Sequence, residues 1–128
     1  MKKAVYSKLA PKPIGPYSQG IIFGNLVFVS GQIPIDLVTG ELETGPIDKQ
    51  AHRVFKNLST ILEAAGSSLD KAIKVTVFFK DLSDFNTVNE IYAQYFKGVL
   101  PARAAIQVAR LPKDALIEAD VIGFIHEE

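Results

Sequence analysis

"KAIKVTVFFKDLSDFNTVNEIYAQYF", residues 71–96, changes its hydrophobic period halfway along. In the first ten residues Ile73, Val75, Val77 and Phe79 alternate with Lys74, Thr76 and Lys80, and only Phe78 breaks the polar side. A period of two built from β-branched and aromatic residues predicts a strand. Beyond it Phe85, Val88, Tyr92, Tyr95 and Phe96 return at three- and four-residue steps, which predicts an amphipathic helix. Asp81 or Ser83 is positioned to cap its start and Gly98 its end.

The same reading extends in both directions. Upstream, Ile47, Ala51, Val54, Phe55, Leu58, Ile61, Leu62 and Ala65 mark a first amphipathic helix, with Pro46 suited to its first position and Gly66 to its C-terminal cap. Further upstream, "GIIFGNLVFVSGQ" places Gly24-Asn25 between two apolar runs, a hairpin. "APKPIGPYSQG", residues 10–20, holds three prolines and two glycines and must be a constrained loop. Downstream, "ARAAIQVAR" and "ALIEADVIGFI" read as two more strands joined by "LPKD".

The order hairpin, helix, strand, helix, two strands predicts a single α+β domain over residues 1–128 with a mixed sheet. Two helices can cover one sheet face only. Yet Val77, Phe78, Ile106, Val108, Ile122 and Phe124 spread apolar side chains over both faces. An uncovered apolar face marks association, so a homo-oligomer packed sheet to sheet is expected.

Composition narrows the function classes. Of 128 residues 48 % are hydrophobic, enough for a folded core, and fourteen basic residues balance fourteen acidic ones. That balance gives no support for a nucleic-acid or anionic-membrane footprint. No cysteine occurs, which removes disulfides, thiolate metal sites and a cysteine nucleophile. The N-terminus lacks the apolar run of a secretory signal, and no run is long enough to span a membrane, so a soluble, cytoplasmic protein is expected. His52 and His126 have no partner at metal-ligand spacing and read as surface histidines, which leaves no serine–histidine–acid triad. No phosphate-cradling glycine motif is present.

Four polar residues stand where the pattern wants others. Arg103 opens a strand and shares a face with Ala105, Gln107 and Ala109, whose small neighbours leave room around a guanidinium. It reads either as a fork for a carboxylate or as a strand-end salt bridge. Glu118 shares a face with Leu116, Asp120, Ile122 and Phe124. It reads as a proton-transfer group with a raised pKa, as a solvated edge residue or as the partner of Arg103. Ser30, followed by Gly31, is either a hydrogen-bond donor to a ligand or a strand terminator. Tyr17, in the proline–glycine loop, is either a lid or a core aromatic.

The segments "APKPIGPYSQG", "FVSGQIPID", "VFKNLSTILEAAGSSLD", "IKVTVFFKDLSDFNTVNEIYAQYF", "LPARAAIQVARLP" and "IEADVIG" together resemble the RidA (YjgF) family, also called L-PSP endoribonucleases, over nearly the whole chain. The resemblance implies a chorismate-mutase-like fold and a homotrimer with a central barrel and sites in clefts between subunits. It implies hydrolysis of enamines and imines such as 2-aminoacrylate and 2-aminocrotonate to 2-keto acids and ammonia. These substrates escape from pyridoxal-phosphate-dependent dehydratases, and no metal or cofactor is required. By the same resemblance Arg103 would hold the substrate carboxylate and Glu118 would position and activate water. Tyr17 and Ser30 would close and polarise the pocket, and the Gly31 amide would contact the carboxylate. The Ala105 carbonyl would accept from the imine nitrogen, and Phe85 and Asn89 would line the wall. Where the family commonly has serine and then cysteine or threonine, this chain has Ala104 and Ala105. The alternatives in view are a ribonuclease or translation inhibitor and a non-catalytic sensor of 2-keto acids.

Overall fold

Residues 1–126 are described by a computed structural model. Its elements are β1 (Lys3–Val5), β2 (Gly20–Phe23), β3 (Leu26–Gln32), α1 (Ile47–Ala64), β4 (Ala72–Phe79), α2 (Phe85–Tyr95), β5 (Ala102–Gln107) and β6 (Ile117–Phe124). All the strands join one sheet in the order β1-β2-β3-β6-β4-β5. Only β4 and β5 run parallel; the other pairs are antiparallel, as the mixed-sheet reading expects. The parallel pair is joined through α2, and β6 is then inserted between β3 and β4.

The helices take one face of this sheet. Val27 and Val29 of β3, Val75, Val77 and Phe79 of β4, and Ile117, Ala119 and Val121 of β6 are buried beneath them. From α1, Ala51, Val54, Phe55, Leu58, Ile61 and Leu62 are fully buried, the stripe that the three- and four-residue spacing predicts. Between the helices Phe55 meets Tyr92 and Phe96 edge-on, at 5.7 and 5.9 Å, and Tyr92 stacks on Phe96 at 4.3 Å. α1 ends in a Schellman motif: Gly66 takes a φ of +86°, its amide bonds the Glu63 carbonyl, and the Ser67 amide bonds that of Leu62.

The opposite face has no helix on it. Ile21, Phe28, Phe78, Ile106, Ile122 and Phe124 stand there half-buried or exposed, with Phe28 at 40 % and Ile106 at 46 %. Cross-strand register carries one apolar row from Ile21 to Phe28 to Ile122.

Four local expectations shift. The sequence pattern misses β1, a three-residue strand that pairs with β2. Pro46 is the N-cap of α1 rather than its first residue. Asp81 caps a short 3-10 turn, Leu82–Asp84, by accepting from the Ser83 amide at 2.9 Å, and α2 follows with no side-chain cap. α2 ends at Tyr95, three residues short of Gly98, because Phe96 turns extended and sinks its ring against Tyr92 and Phe55. Burying that ring outweighs another helical residue.

Because Phe55 is fully buried at the junction of both helices and the sheet, Phe55→Ala should lower the unfolding free energy by about 3–5 kcal/mol. Urea titration would read this as an earlier midpoint at unchanged slope; a midpoint near wild type would show that the junction is not the core.

Candidate functional site

Register decides where each polar residue points. On β5, Arg103 lies opposite Val75 of β4, and Val75 is fully buried beneath the helices. Alternation therefore sends Arg103 to the helical side of the sheet, where β5 is the edge strand and α2 leaves it exposed. Its guanidinium is fixed there by α2. Nη1 donates to Asn89 Oδ1 at 2.7 Å, and Cζ lies 4.7 Å from the Tyr92 ring centroid and 5.5 Å from that of Phe85. Phe85, Asn89 and Tyr92 fall at positions i, i+4 and i+7, one stripe of the helix. Among the described residues the one salt bridge joins Lys80 to Asp114 at 2.8 Å, so no carboxylate neutralises Arg103. Ala105 shares its face, and with Leu82, Ser83, Phe85 and Asn86 it lines a cleft of about 420 Å³.

Glu118 points the other way. It lies opposite Phe78 of β4, and Phe78 stands on the uncovered face. The reading of Glu118 as the partner of Arg103 is therefore overturned: in one chain the two charges occupy opposite faces of the sheet. What Glu118 meets is β3. Val29 pairs with Val121 and Gln32 with Ala119, so β3 carries one extra residue across Ser30–Gly31, a β-bulge. The bulge brings the Gly31 backbone against Glu118. A methyl group on Gly31 would overlap the carboxylate and lie 3.0 Å from Cδ, so only glycine leaves this acid its place. Burial raises the Glu118 pKa, and the negative charge of Asp120 raises it further. Burial also raises Asp120, opposed by hydrogen bonds from Thr76 and by the charge of Lys74.

Ser30 and Tyr17 belong to this second group. Ser30 Oγ donates to the Ser18 carbonyl at 2.6 Å and its amide to the Gln19 carbonyl at 2.9 Å, tying the proline–glycine loop to β3. The hydroxyl proton is thus committed to the backbone, and the lone pairs are what remain for a ligand. Tyr17 is 45 % exposed, and its hydroxyl accepts from the Ile14 amide at 3.2 Å. Together with Ile14 and Gly31 it lines a small pocket beside β3.

The eight residues singled out in the sequence thus form two groups, Arg103, Phe85, Asn89 and Ala105 at the α2–β5 edge, and Tyr17, Ser30, Gly31 and Glu118 at the β3–β6 bulge. One chain does not bring them together. The histidines lie apart as well. His52 Nδ1 is 2.7 Å from the Tyr95 hydroxyl, whereas the His126 backbone is paired with the Asn25 side chain through two contacts of 2.7 Å.

Two contributors escaped the sequence reading. Gln19, 2 % exposed, uses its whole side-chain amide on the Ser7 amide and the Ser7 and Pro11 carbonyls, which holds the loop that carries Tyr17. A glutamine between a proline–glycine loop and an apolar strand is the available signal. In the sequence Tyr92 belongs to an apolar stripe, and its spacing from Phe85 and Asn89 is the cue to its place over Arg103.

The family model described as Endoribonuclease L-PSP matches residues 7–125. The chain belongs to this family, the one its motifs resemble. A RutC family protein of Pyrococcus abyssi is 54 % identical, covering 96 % of this chain and 97 % of that protein. The 2-iminobutanoate/2-iminopropanoate deaminase of Homo sapiens is 44 % identical, covering 96 % and 90 %. The crystal structure of E. coli TdcF with bound serine superposes with a TM-score of 0.91 at 43 % identity, covering 95 % of this chain and 98 % of that one.

The raised Glu118 pKa has a thermodynamic sign. The folded chain holds that proton at pH values where the unfolded chain has lost it, so its contribution to stability is full in acid and is lost as pH rises through the shifted value. Glu118→Gln, which removes the charge at nearly constant shape, should raise Tm at neutral pH, and the gain should vanish below the ordinary glutamate range. A pH series of melting curves checks this; a variant less stable than wild type at neutral pH would contradict it.

Proposed function

We propose that the protein is an enamine/imine deaminase that hydrolyses small 2-imino acids, as 2-aminoacrylate and 2-aminocrotonate become on tautomerisation, to 2-keto acids and ammonia. One observation carries the reading: a fixed guanidinium with no carboxylate partner among the described residues, packed on Phe85, which with Ala105 lines an apolar cleft, in a family whose human relative is named for this activity. TdcF, with its bound serine, adds a relative that holds a small molecule bearing a carboxylate.

The chemistry asks for little. Arg103 grips the substrate carboxylate through a charge-assisted fork. Glu118, its pKa raised, takes a proton from water as the oxygen attacks the iminium carbon, forming a tetrahedral carbinolamine. Returning the proton to nitrogen makes ammonia the leaving group; Glu118 then takes the hydroxyl proton of the carbinolamine as the C=O bond forms and the C–N bond breaks, and that proton leaves with the ammonia as ammonium. The Ala105 carbonyl orients the nitrogen, while Tyr17, Ser30 and the Gly31 amide close the other side. Phe85 and Asn89 form the wall.

For both groups to reach one substrate, two chains must contribute. The uncovered apolar face supports this reading, because Phe28 and Ile106 stand exposed on it and packing it against neighbouring subunits would cover them. A homotrimer with three sites between subunits is the assembly we propose. Its substrates would come from dehydratases that release enamines. Among the described residues no helix is long and apolar enough to cross a membrane, and we place the protein in the cytoplasm with its substrates.

The test is keto-acid release from enamine generated in situ by a dehydratase. Arg103→Ala should lower the rate by about two orders of magnitude or more, and Glu118→Ala should act similarly. Co-expressing the two inactive variants in equal amounts should restore about one quarter of wild-type activity, because subunits mix at random and a quarter of sites then receive both intact halves. Inactive mixtures beside an active wild type would sink the two-chain site; no release by wild type would sink the activity.

A further inference from the structure

Arg103 is held in an unusual way for a cation expected to work in one position. Its fixed partners are an amide oxygen and two aromatic faces, all from α2, and none carries charge. Of the two rings, Tyr92 is the nearer, 4.7 Å against 5.5 Å for Phe85. Tyr92 is also the better anchored: it is 7 % exposed, stacked on Phe96 and set edge-on to the fully buried Phe55. Its hydroxyl is buried without a hydrogen-bond partner. A buried phenol that leaves its hydroxyl unpaired gains nothing from that group in stability. What the site draws from Tyr92 is its ring.

We propose that Tyr92 is a positioning residue: its π face, backed by Phe55 and Phe96, holds the Arg103 guanidinium in one plane with its charge undiminished, so that an incoming carboxylate meets a preorganised and unneutralised fork. This rests on the reading of Arg103 as a carboxylate grip. It adds the element that gives the grip its direction. The ring attracts the cation through its quadrupole and restricts it to the plane parallel to the face. Asn89 then fixes rotation within that plane through one hydrogen bond, which leaves the remaining N–H donors of the guanidinium for a ligand. A carboxylate in place of either partner would hold Arg103 more tightly but would compete with the substrate.

The experiment compares Tyr92→Leu with Tyr92→Phe. Titration calorimetry of the intact protein with 2-ketobutyrate, a non-reacting carboxylate, reads the grip directly. Tyr92→Leu should weaken binding by about 3- to 30-fold, the range of a lost cation–π contact. Tyr92→Phe, which keeps the face, should rescue binding to within about twofold and melt at or above the wild-type temperature. In turnover, Tyr92→Leu should raise KM with kcat little changed, since it disturbs a contact made equally in the ground and transition states.

Tyr92→Leu also loses packing against Phe55 and Phe96, so a second measurement is independent of binding. The Arg103 side-chain N–H resonances should carry an upfield ring-current shift in wild type and in Tyr92→Phe. Equal binding by wild type and Tyr92→Leu overturns the proposal, as does a Tyr92→Phe variant as weak as Tyr92→Leu, which would assign the effect to the hydroxyl. An unshifted Arg103 resonance in wild type overturns it too, even if Tyr92→Leu fails to fold. Absence of any 2-ketobutyrate binding by wild type that shows the shifted resonance would instead remove the carboxylate-grip reading.

Discussion

Strand alternation, anchored by the burial of β4, determines where everything else in this molecule can be. Val75, Val77 and Phe79 lie within 1 % of complete burial, and each such side chain contributes about 1.5–3 kcal/mol on leaving water. A slip of one residue would expose all of them, so the register of β4 is not free to vary. Its neighbours inherit that parity. Arg103 pairs with Val75 and must face the helices, and Glu118 pairs with Phe78 and must face away. The core thus places the two charges on opposite sides before any chemistry is considered.

The uncovered face carries the consequence. Its apolar row would be poorly placed in water, and its acids are disfavoured in the opposite sense, because each is already partly removed from solvent. Covering the face relieves the first and deepens the second. A protein that keeps Glu118 there at a cost to its own stability is keeping it for something other than folding, a trade common at functional sites. Under the proposed function, association and catalysis share one surface.

Local spacing carried most of the elements. The change of period within residues 71–96 was legible because both patterns record contact with the core, and the predicted apolar positions of α1 from Ala51 to Leu62 are all buried, with Gln50 and Asn57 buried beside them. β1 was not legible: Lys3, Ala4 and Val5 are too short a run to show a period, and the strand exists through pairing with β2. The site divides in the same way. Arg103, Glu118, Ser30 and Tyr17 could be picked out as misplaced polar residues, since burial and propensity are local. Their grouping could not, since it depends on β6 entering between β3 and β4, on parallel pairing of β5, and on the bulge at Ser30–Gly31, all of which are long-range.

The choice of neutral partners for Arg103 follows from what a carboxylate grip must do. An aspartate at position 89 would form a stronger bond to the guanidinium than the asparagine amide does, yet a substrate carboxylate would then enter a field already cancelled. The amide and the aromatic faces offer direction without charge. They also come from one face of α2, whose other contacts are with Phe55 in the core, so the rigidity of the helix packing is passed to the guanidinium. The partly exposed edge strand could not supply that rigidity itself: β5 pairs on one side only and has no buried residue of its own. Order at the grip is borrowed from the helix above it, and the aromatic junction that stabilises the fold is also what aims the Arg103 guanidinium.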